Sequence, residues 1–119
     1  MSRLLVKATS GEDAPERCAQ AFTVSAVAVA SGATVSLWLT GEAAWFAVPG
    51  RAEGFVLAHS APLAELRDAV LAGGTLTLCT QCAQRRSLTE ADVLPEVRLA
   101  GAAVFVAEAL EDGTQALVY

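Results

Sequence analysis

The stretch that decides the fold is KATSGEDAPERCAQAFTVSAVAVASGATVSLWLTGEAAW, residues 7–45. Together with the few residues before it, this stretch predicts a strand, a long helix and a second strand in succession. The apolar run at 3–8 is typical of a buried strand, and 33–41 predicts a second strand that ends in a glycine. Between them, 14–31 predicts the helix. Such a unit places its two strands parallel in one sheet, which indicates an α/β protein.

The loop at 9–16 carries residues that favour the start of a helix. Pro15 suits the first helical turn, and either Asp13 or Ser10 is predicted to cap the helix. Asp13 together with Glu12 is also a candidate pair of catalytic carboxylates, although capping explains them more simply.

The rest of the chain continues the alternation. The sequence predicts a short helix at 42–48, an irregular segment at 49–61, a helix at 62–74, a strand at 75–79, a short helix at 80–86, a turn within 87–96 capped by Ser87 or Thr89, a helix at 101–112 and a last strand at 114–119. This order predicts a single domain over 1–119, a three-layer α/β/α sandwich around a mainly parallel sheet. Chemistry in such sheets gathers at the carboxyl ends of the strands.

The composition limits the classes of partner. The net charge is −5 with only eight Lys and Arg, which argues against a nucleic-acid or anionic-membrane surface. No unbroken apolar run of about 18 residues predicts a membrane span, and the N-terminus does not resemble a signal peptide. Three cysteines, an odd number, indicate free thiols in the cytoplasm. The chain is 54% hydrophobic and only 18% charged, which predicts burial against further subunits.

The segment GGTLTLCTQCAQRR, residues 73–86, contains the residues with the clearest chemical potential. Cys79 is predicted at the end of a strand and Cys82 in the first turn of the following helix. The free backbone N–H groups and the positive end of that helix favour a thiolate there. Arg85 and Arg86 would add positive charge if either folded back. A thiolate attacks sulfane sulfur, disulfides or metals, so nucleophilic sulfur chemistry is predicted.

Three other interpretations of the cysteine pair remain open. One C-x-x-C supplies two of the four ligands of a structural zinc site, and only Cys18 and His59 could complete it. A dithiol redox couple would form a Cys79–Cys82 disulfide, although the helix behind the pair is short. Alternatively, both cysteines are small buried hydrophobes, against which the polar residues around them argue.

His59 is the only histidine and lies in the irregular segment 49–61. A loop of this length is usually functional or interfacial, and we expect it to shield the cysteines. A binding or proton-transfer role for His59 requires a partner that the sequence does not identify. No glycine motif for phosphate binding follows a strand, so no nucleotide or other resident cofactor is predicted.

Two segments resemble the DsrE/DsrF-like family. Residues 7–45 are similar to its opening, with a strand, a T-x-G-x-D-x-P type loop, a long helix and a V-x-L-x-L-x-G strand. The segment GGTLTLCTQCAQRRSL is similar to its cysteine segment, as in the DsrE/TusD-type sulfur-relay branch and the small single-domain relatives. The resemblance runs over nearly the whole chain. Ser87 departs from it, because a glycine usually follows the family arginine and serine resists a positive φ.

The resemblance implies a flavodoxin-like subunit with about five strands that assembles into a homotrimer or homohexamer. In the sulfur-relay branch a cysteine accepts a persulfide and passes it on, and by position that role falls to Cys79. Cys82 corresponds to a second cysteine of some branches, and Arg86 matches the family arginine. The resulting hypothesis is a cytoplasmic sulfur carrier with donor and acceptor proteins as partners. The alternatives are an oligomeric ligand- or partner-binding module without enzymatic activity, and a dithiol redox protein.

Overall fold

The computed structural model describes residues 2–119, which form five strands and four α-helices with two short 3-10 helices. In chain order these are β1 (Arg3–Ala8), α1 (Pro15–Ala30), β2 (Thr34–Leu39), a 3-10 helix (Gly41–Ala47), α2 (Leu63–Gly73), β3 (Thr75–Cys79), α3 (Thr80–Arg85), a 3-10 helix (Glu90–Asp92), β4 (Arg98–Ala100), α4 (Ala102–Ala109) and β5 (Thr114–Val118). The segment 49–61 is irregular, as predicted.

The strands form one parallel sheet in the order β4-β3-β2-β1-β5. From β1, the strands β2, β3 and β4 follow one another in the same direction across the sheet. The chain then returns through α4, and β5 pairs with the other side of β1. The predicted α/β/α fold with a mainly parallel sheet of five strands is confirmed. The fold is flavodoxin-like in having parallel strands with helices on both faces, although its strand order differs from 2-1-3-4-5.

The two faces of the sheet are covered unequally. Side chains alternate along a strand, so Leu37 and Leu39 point to one face and Trp38 to the other. The first face packs under α1 and α2 and forms the main core, with Val6, Ala8, Cys18, Phe22, Leu37, Leu39, Leu76 and Leu78 all fully or almost fully buried. On the second face α4 lies over Trp38, whose ring meets that of Phe105 edge-to-face at 5.3 Å.

Three elements differ from the sequence predictions. Strand β4 was not predicted, because three residues are too short for a periodic pattern and only pairing with β3 makes them a strand. The short helix after β2 is a 3-10 helix, and α4 ends at Ala109, three residues before the predicted end.

The predicted capping of α1 is wrong. The residue at the N-cap is Ala14, and no side chain caps the helix. Asp13 turns back instead, and its Oδ1 accepts a hydrogen bond from the backbone N–H of Gly11 at 2.8 Å. Thr89 is the N-cap residue of its predicted turn, in a capping box with Asp92, whose carboxylate accepts hydrogen bonds from the hydroxyl and the backbone N–H of Thr89. Of the helices within residues 2–119, none has the length and apolarity to cross a membrane.

Candidate functional site

Cys79 and Cys82 lie at the carboxyl edge of the sheet, where β3 passes directly into α3. Cys79 is both the last residue of β3 and the N-cap of α3, which makes Cys82 the third residue of the helix. Cys79 is half-buried, whereas Cys82 is only 7% exposed. Both thiols are free. The placement predicted from the sequence, a strand end followed at once by a helix start, is confirmed.

The surroundings of Cys79 favour its thiolate. Burial raises the pKa of Cys79, but other effects outweigh it and lower that pKa below its ordinary value of 9.0. These are hydrogen bonding from the backbone and side chain of Cys82, hydrogen bonding from the backbone N–H of Gln81, and the positive charge of Lys7. No short N-cap hydrogen bond closes on the Cys79 sulfur. The lowering therefore comes from several longer interactions at the start of α3.

Cys82 is held by a backbone group from another part of the chain. The N–H of Gly41 donates a hydrogen bond to the Cys82 sulfur at 3.3 Å, and a guanidinium nitrogen of Arg85 lies 4.0 Å from the same sulfur. Gly41 has a φ of +52°, and a Cβ there would stand 2.5 Å from the carbonyl oxygen of Thr9. Only glycine fits this position, so the turn after β2 is shaped to meet Cys82.

Arg86 holds the site together but is not free to bind a ligand. Its Nη2 and Nε donate to one carboxylate oxygen of Glu42 at 2.7 Å and 3.1 Å, and its Nη1 donates to the carbonyl oxygen of Cys82 at 3.1 Å. Arg86 thereby joins α3 to the 3-10 helix that begins at Gly41. Arg85 is the exposed arginine of the pair.

Ser87 adopts a backbone conformation that serine disfavours. Its φ is +57°, in the left-handed region. The N–H of Ser87 bonds to the carbonyl of Gln84, and that of Leu88 to the carbonyl of Ala83, which is the hydrogen-bond pattern of a Schellman motif. The turn after α3 thus keeps the geometry that the usual glycine would adopt, at a cost in backbone strain.

The loop after β1 lies beside this site. Ser10 is buried there, and a Cβ on Gly11 would stand 2.5 Å from the carbonyl oxygen of Glu42, so the two loops are in direct contact. One carboxylate oxygen of Asp13 accepts a hydrogen bond from the backbone of its own loop. The loop after β1, the turn at Gly41 and the start of α3 therefore form one continuous rim.

His59 and Cys18 lie elsewhere. His59 is exposed and, with a φ of +61°, lines a groove of about 500 Å³ between the segment 57–61 and α1, away from the cysteine segment. Cys18 lies on the buried face of α1 and is 1% exposed, and burial, followed by the charges of Asp13 and Glu12, raises its pKa to about 12. Neither residue joins the cysteine pair.

The segment 49–61 is held in place by side-chain contacts. Its first half is anchored by Arg67, a buried side chain that donates two hydrogen bonds to the carboxylate of Glu53 at 3.0 Å and 2.9 Å. Phe55 packs edge-to-face on Phe46 at 5.5 Å. Within residues 2–119, no three His, Cys, Asp or Glu side chains are grouped to hold a metal ion, so the zinc interpretation gains no support there.

Three residues of the site were not found from the sequence: Lys7, Gly41 and Glu42. Lys7 is the only charged residue inside the apolar part of β1, and a lone charge in such a strand could have marked it as a site residue. Its Nζ lies 4.2 Å from the ring centroid of Phe105, on the second face of the sheet. Nothing in the sequence around Glu42 marks it as a site residue, because its partner Arg86 is 44 positions away.

Comparison with known proteins identifies the family. The sequence profile of the DsrE/DsrF-like family matches residues 2–119. This chain belongs to that family. No protein with a curated description matches the chain significantly. In this DsrE/DsrF-like protein the cysteine pair lies at the strand-to-helix junction described above.

Solved structures share the fold of this DsrE/DsrF-like chain. The ychN protein from E. coli has a TM-score of 0.82 and 13% identity, with 100% of both chains covered. The protein of unknown function MTH1491 from Methanobacterium thermoautotrophicum has a TM-score of 0.68 and 8% identity, again over 100% of both chains. BT1422 from Bacteroides thetaiotaomicron, also of unknown function, has a TM-score of 0.63 and 12% identity, over 99% of this chain and 95% of its own. Identities this low establish the fold alone.

Proposed function

We propose that this protein is a sulfur carrier that accepts a persulfide on Cys79 and passes it to an acceptor protein. Membership of the DsrE/DsrF-like family suggests sulfur relay at the level of the family. The observation that supports Cys79 in particular is its position, half-buried at the start of α3, with surroundings that lower its pKa. A thiolate is the form that attacks sulfane sulfur.

The other rim residues receive supporting roles in this proposal. Cys82 is an auxiliary thiol in the first turn of α3, three positions after Cys79. Arg85, exposed beside the pair, guides a donor or acceptor protein, whereas Arg86 positions α3 through Glu42. Ser10 and Asp13 shape the neighbouring loop. A cytoplasmic location belongs to the proposal, because free thiols of this kind need a reducing compartment.

We further propose that the protein works as a homotrimer or homohexamer. Helix α4 is almost entirely apolar, yet none of its residues is buried in the single chain. Val104, Val106 and Leu110 at or next to α4 are exposed, and so are Leu117 and Val118 of the edge strand β5. An apolar helix beside an unpaired strand edge is the kind of surface that a further copy covers. Light scattering should give a mass above that of one chain, and Val106→Glu should reduce it.

The carrier role is tested by loading the protein with a cysteine desulfurase and weighing the intact chain. The wild-type protein should gain the mass of one sulfur atom, and Cys79→Ser should not. Cys18→Ser is the matched control and should load like the wild type, because Cys18 is buried with a raised pKa. Equal loading of Cys79→Ser and the wild type would exclude the proposed role.

A further inference from the structure

The arrangement of the two thiols has a chemical consequence once Cys79 carries a persulfide, and it therefore rests on the proposed function. Cys79 and Cys82 occupy the N-cap and third positions of α3. These are the two positions that face each other across the first turn of a helix and that a capping box uses. Hydrogen bonding from the backbone and side chain of Cys82 is among the causes that lower the pKa of Cys79, in keeping with this placement.

The Cys82 sulfur is also equipped to react. The N–H of Gly41 points at it from 3.3 Å, and the guanidinium of Arg85 lies 4.0 Å away. Both groups present hydrogen-bond donors to the Cys82 sulfur. At 7% exposure, Cys82 is shielded from bulky reagents, and it shares the first turn of α3 with Cys79. Its surroundings favour reaction with Cys79 over reaction with a large partner.

We infer that Cys82 discharges a persulfide on Cys79 that no acceptor collects, with release of sulfide. The Cys82 sulfur attacks the inner sulfur of Cys79–S–S⁻. A Cys79–Cys82 disulfide bond forms, the bond from the Cys79 sulfur to the terminal sulfur breaks, and the terminal sulfur leaves as HS⁻ with the proton of the Cys82 thiol. The two thiols are oxidised and the sulfane sulfur is reduced by two electrons, so a single turnover needs no other reductant.

No other thiol within residues 2–119 competes for this reaction. Cys18, the third cysteine, lies on the buried face of α1, and burial with the nearby carboxylates raises its pKa to about 12. It remains a thiol near neutral pH and has no access to the rim. The lifetime of the persulfide is therefore set by competition between an acceptor protein and Cys82.

The experiment loads the reduced protein with inorganic polysulfide, removes the excess and follows sulfide release and intact mass with time. In the wild type, the mass of one sulfur atom should be lost as HS⁻ appears, leaving a chain two hydrogens lighter than the reduced protein. Cys82→Ser should release sulfide at least about tenfold more slowly, because the intramolecular nucleophile is gone. Serine at position 82 can still accept the hydrogen bond from the Gly41 N–H. Cys82→Ala, which cannot, should release sulfide as slowly as Cys82→Ser, and its circular dichroism spectrum checks that the fold is retained. Cys18→Ser should behave as the wild type.

The outcomes separate this inference from the carrier role. If Cys82→Ser and the wild type both gain the sulfur atom and both retain it for the same time, the inference is overturned and the carrier role stands. If Cys82→Ser never gains the sulfur atom although Cys79 still reacts with iodoacetamide, the carrier role fails and the inference fails with it. Sulfide release without the disulfide would also overturn the inference.

Discussion

The backbone N–H of Gly41 donates a hydrogen bond to the sulfur of Cys82 at 3.3 Å, across 41 positions of the chain. This contact joins the turn after β2 to the helix after β3, two neighbouring strands of the sheet. It exists because parallel strands bring their carboxyl ends to the same edge. The reactive rim is thus held by backbone as well as by side chains.

Gly41→Ala should disrupt this contact. Its φ of +52° disfavours a side chain, and the new Cβ would stand 2.5 Å from the carbonyl oxygen of Thr9, so the turn must move. We expect the free energy of unfolding in urea to fall by about 2 kcal/mol or more. Gly54→Ala is the matched control, since a Cβ there meets its nearest atom at 3.7 Å. Similar losses in both variants would contradict the prediction.

Lys7→Met should make Cys79 less reactive near neutral pH. Burial raises the pKa of Cys79, and the hydrogen bonds at the start of α3 together with the charge of Lys7 lower it below 9.0. Removing that charge moves the pKa back upward, so less thiolate is present at pH 7. The rate of iodoacetamide labelling of Cys79, followed by peptide mass spectrometry against pH, should shift its inflection to higher pH.

Lys7→Arg serves as the control for this measurement, because it keeps the charge at the same position of β1. Its inflection should stay with that of the wild type. If Lys7→Met and the wild type share one pH profile, Lys7 does not act on Cys79. An inflection of the wild type at or above that of an ordinary thiol would contradict the thiolate itself and would favour a binding module.

Ser87→Gly should stabilise the protein. Ser87 holds a φ of +57° at the end of α3, which costs a residue with a side chain about 1 kcal/mol and costs glycine little. We expect the free energy of unfolding to rise by about 0.5–1 kcal/mol. Ser31→Gly is the matched comparison: Ser31 ends α1 with a φ of −81°, so glycine there relieves no strain and should not stabilise. A loss of stability in Ser87→Gly would show that the serine side chain matters more than its backbone.

Glu108 should make stability depend on pH. Burial raises the pKa of Glu108, but hydrogen bonds from Ser36, Arg98 and Trp38 outweigh it and hold the pKa below 4.5. A pKa that is lower in the folded state contributes stability above the unfolded value and loses it as the pH falls through the folded value. Glu108→Gln should therefore reduce the melting temperature at pH 7 and flatten its decline below about pH 4.5.

Glu96→Gln is the control for this titration, because Glu96 is an exposed carboxylate. Its melting temperature should follow that of the wild type from neutral pH into the acid range. A parallel decline for Glu108→Gln and the wild type would show that the network beneath α4 does not titrate as expected.

Local pattern was sufficient for the larger elements. The strand, helix and strand of residues 3–41 were predicted within two residues at each end, because apolar spacing, Pro15 and Gly32 are local signals. The capping of α1 was not predictable in this way, because the conformation of the loop directs the Asp13 carboxylate to the N–H of Gly11 and leaves Ala14 at the N-cap. Strand β4 has too few residues for any pattern.

The sequence by itself determined that Cys79 ends a strand and that Cys82 follows inside a helix, because both facts depend on neighbours within a few positions. Only the tertiary structure decided which groups surround them. The N–H of Gly41 donates to the Cys82 sulfur, and the charge of Lys7 acts on Cys79. Glu42 holds Arg86 in place. These partners lie far apart in the chain, and their meeting depends on the order in which parallel strands pair. The order of strands arises from the burial of the whole sheet, which no short stretch encodes.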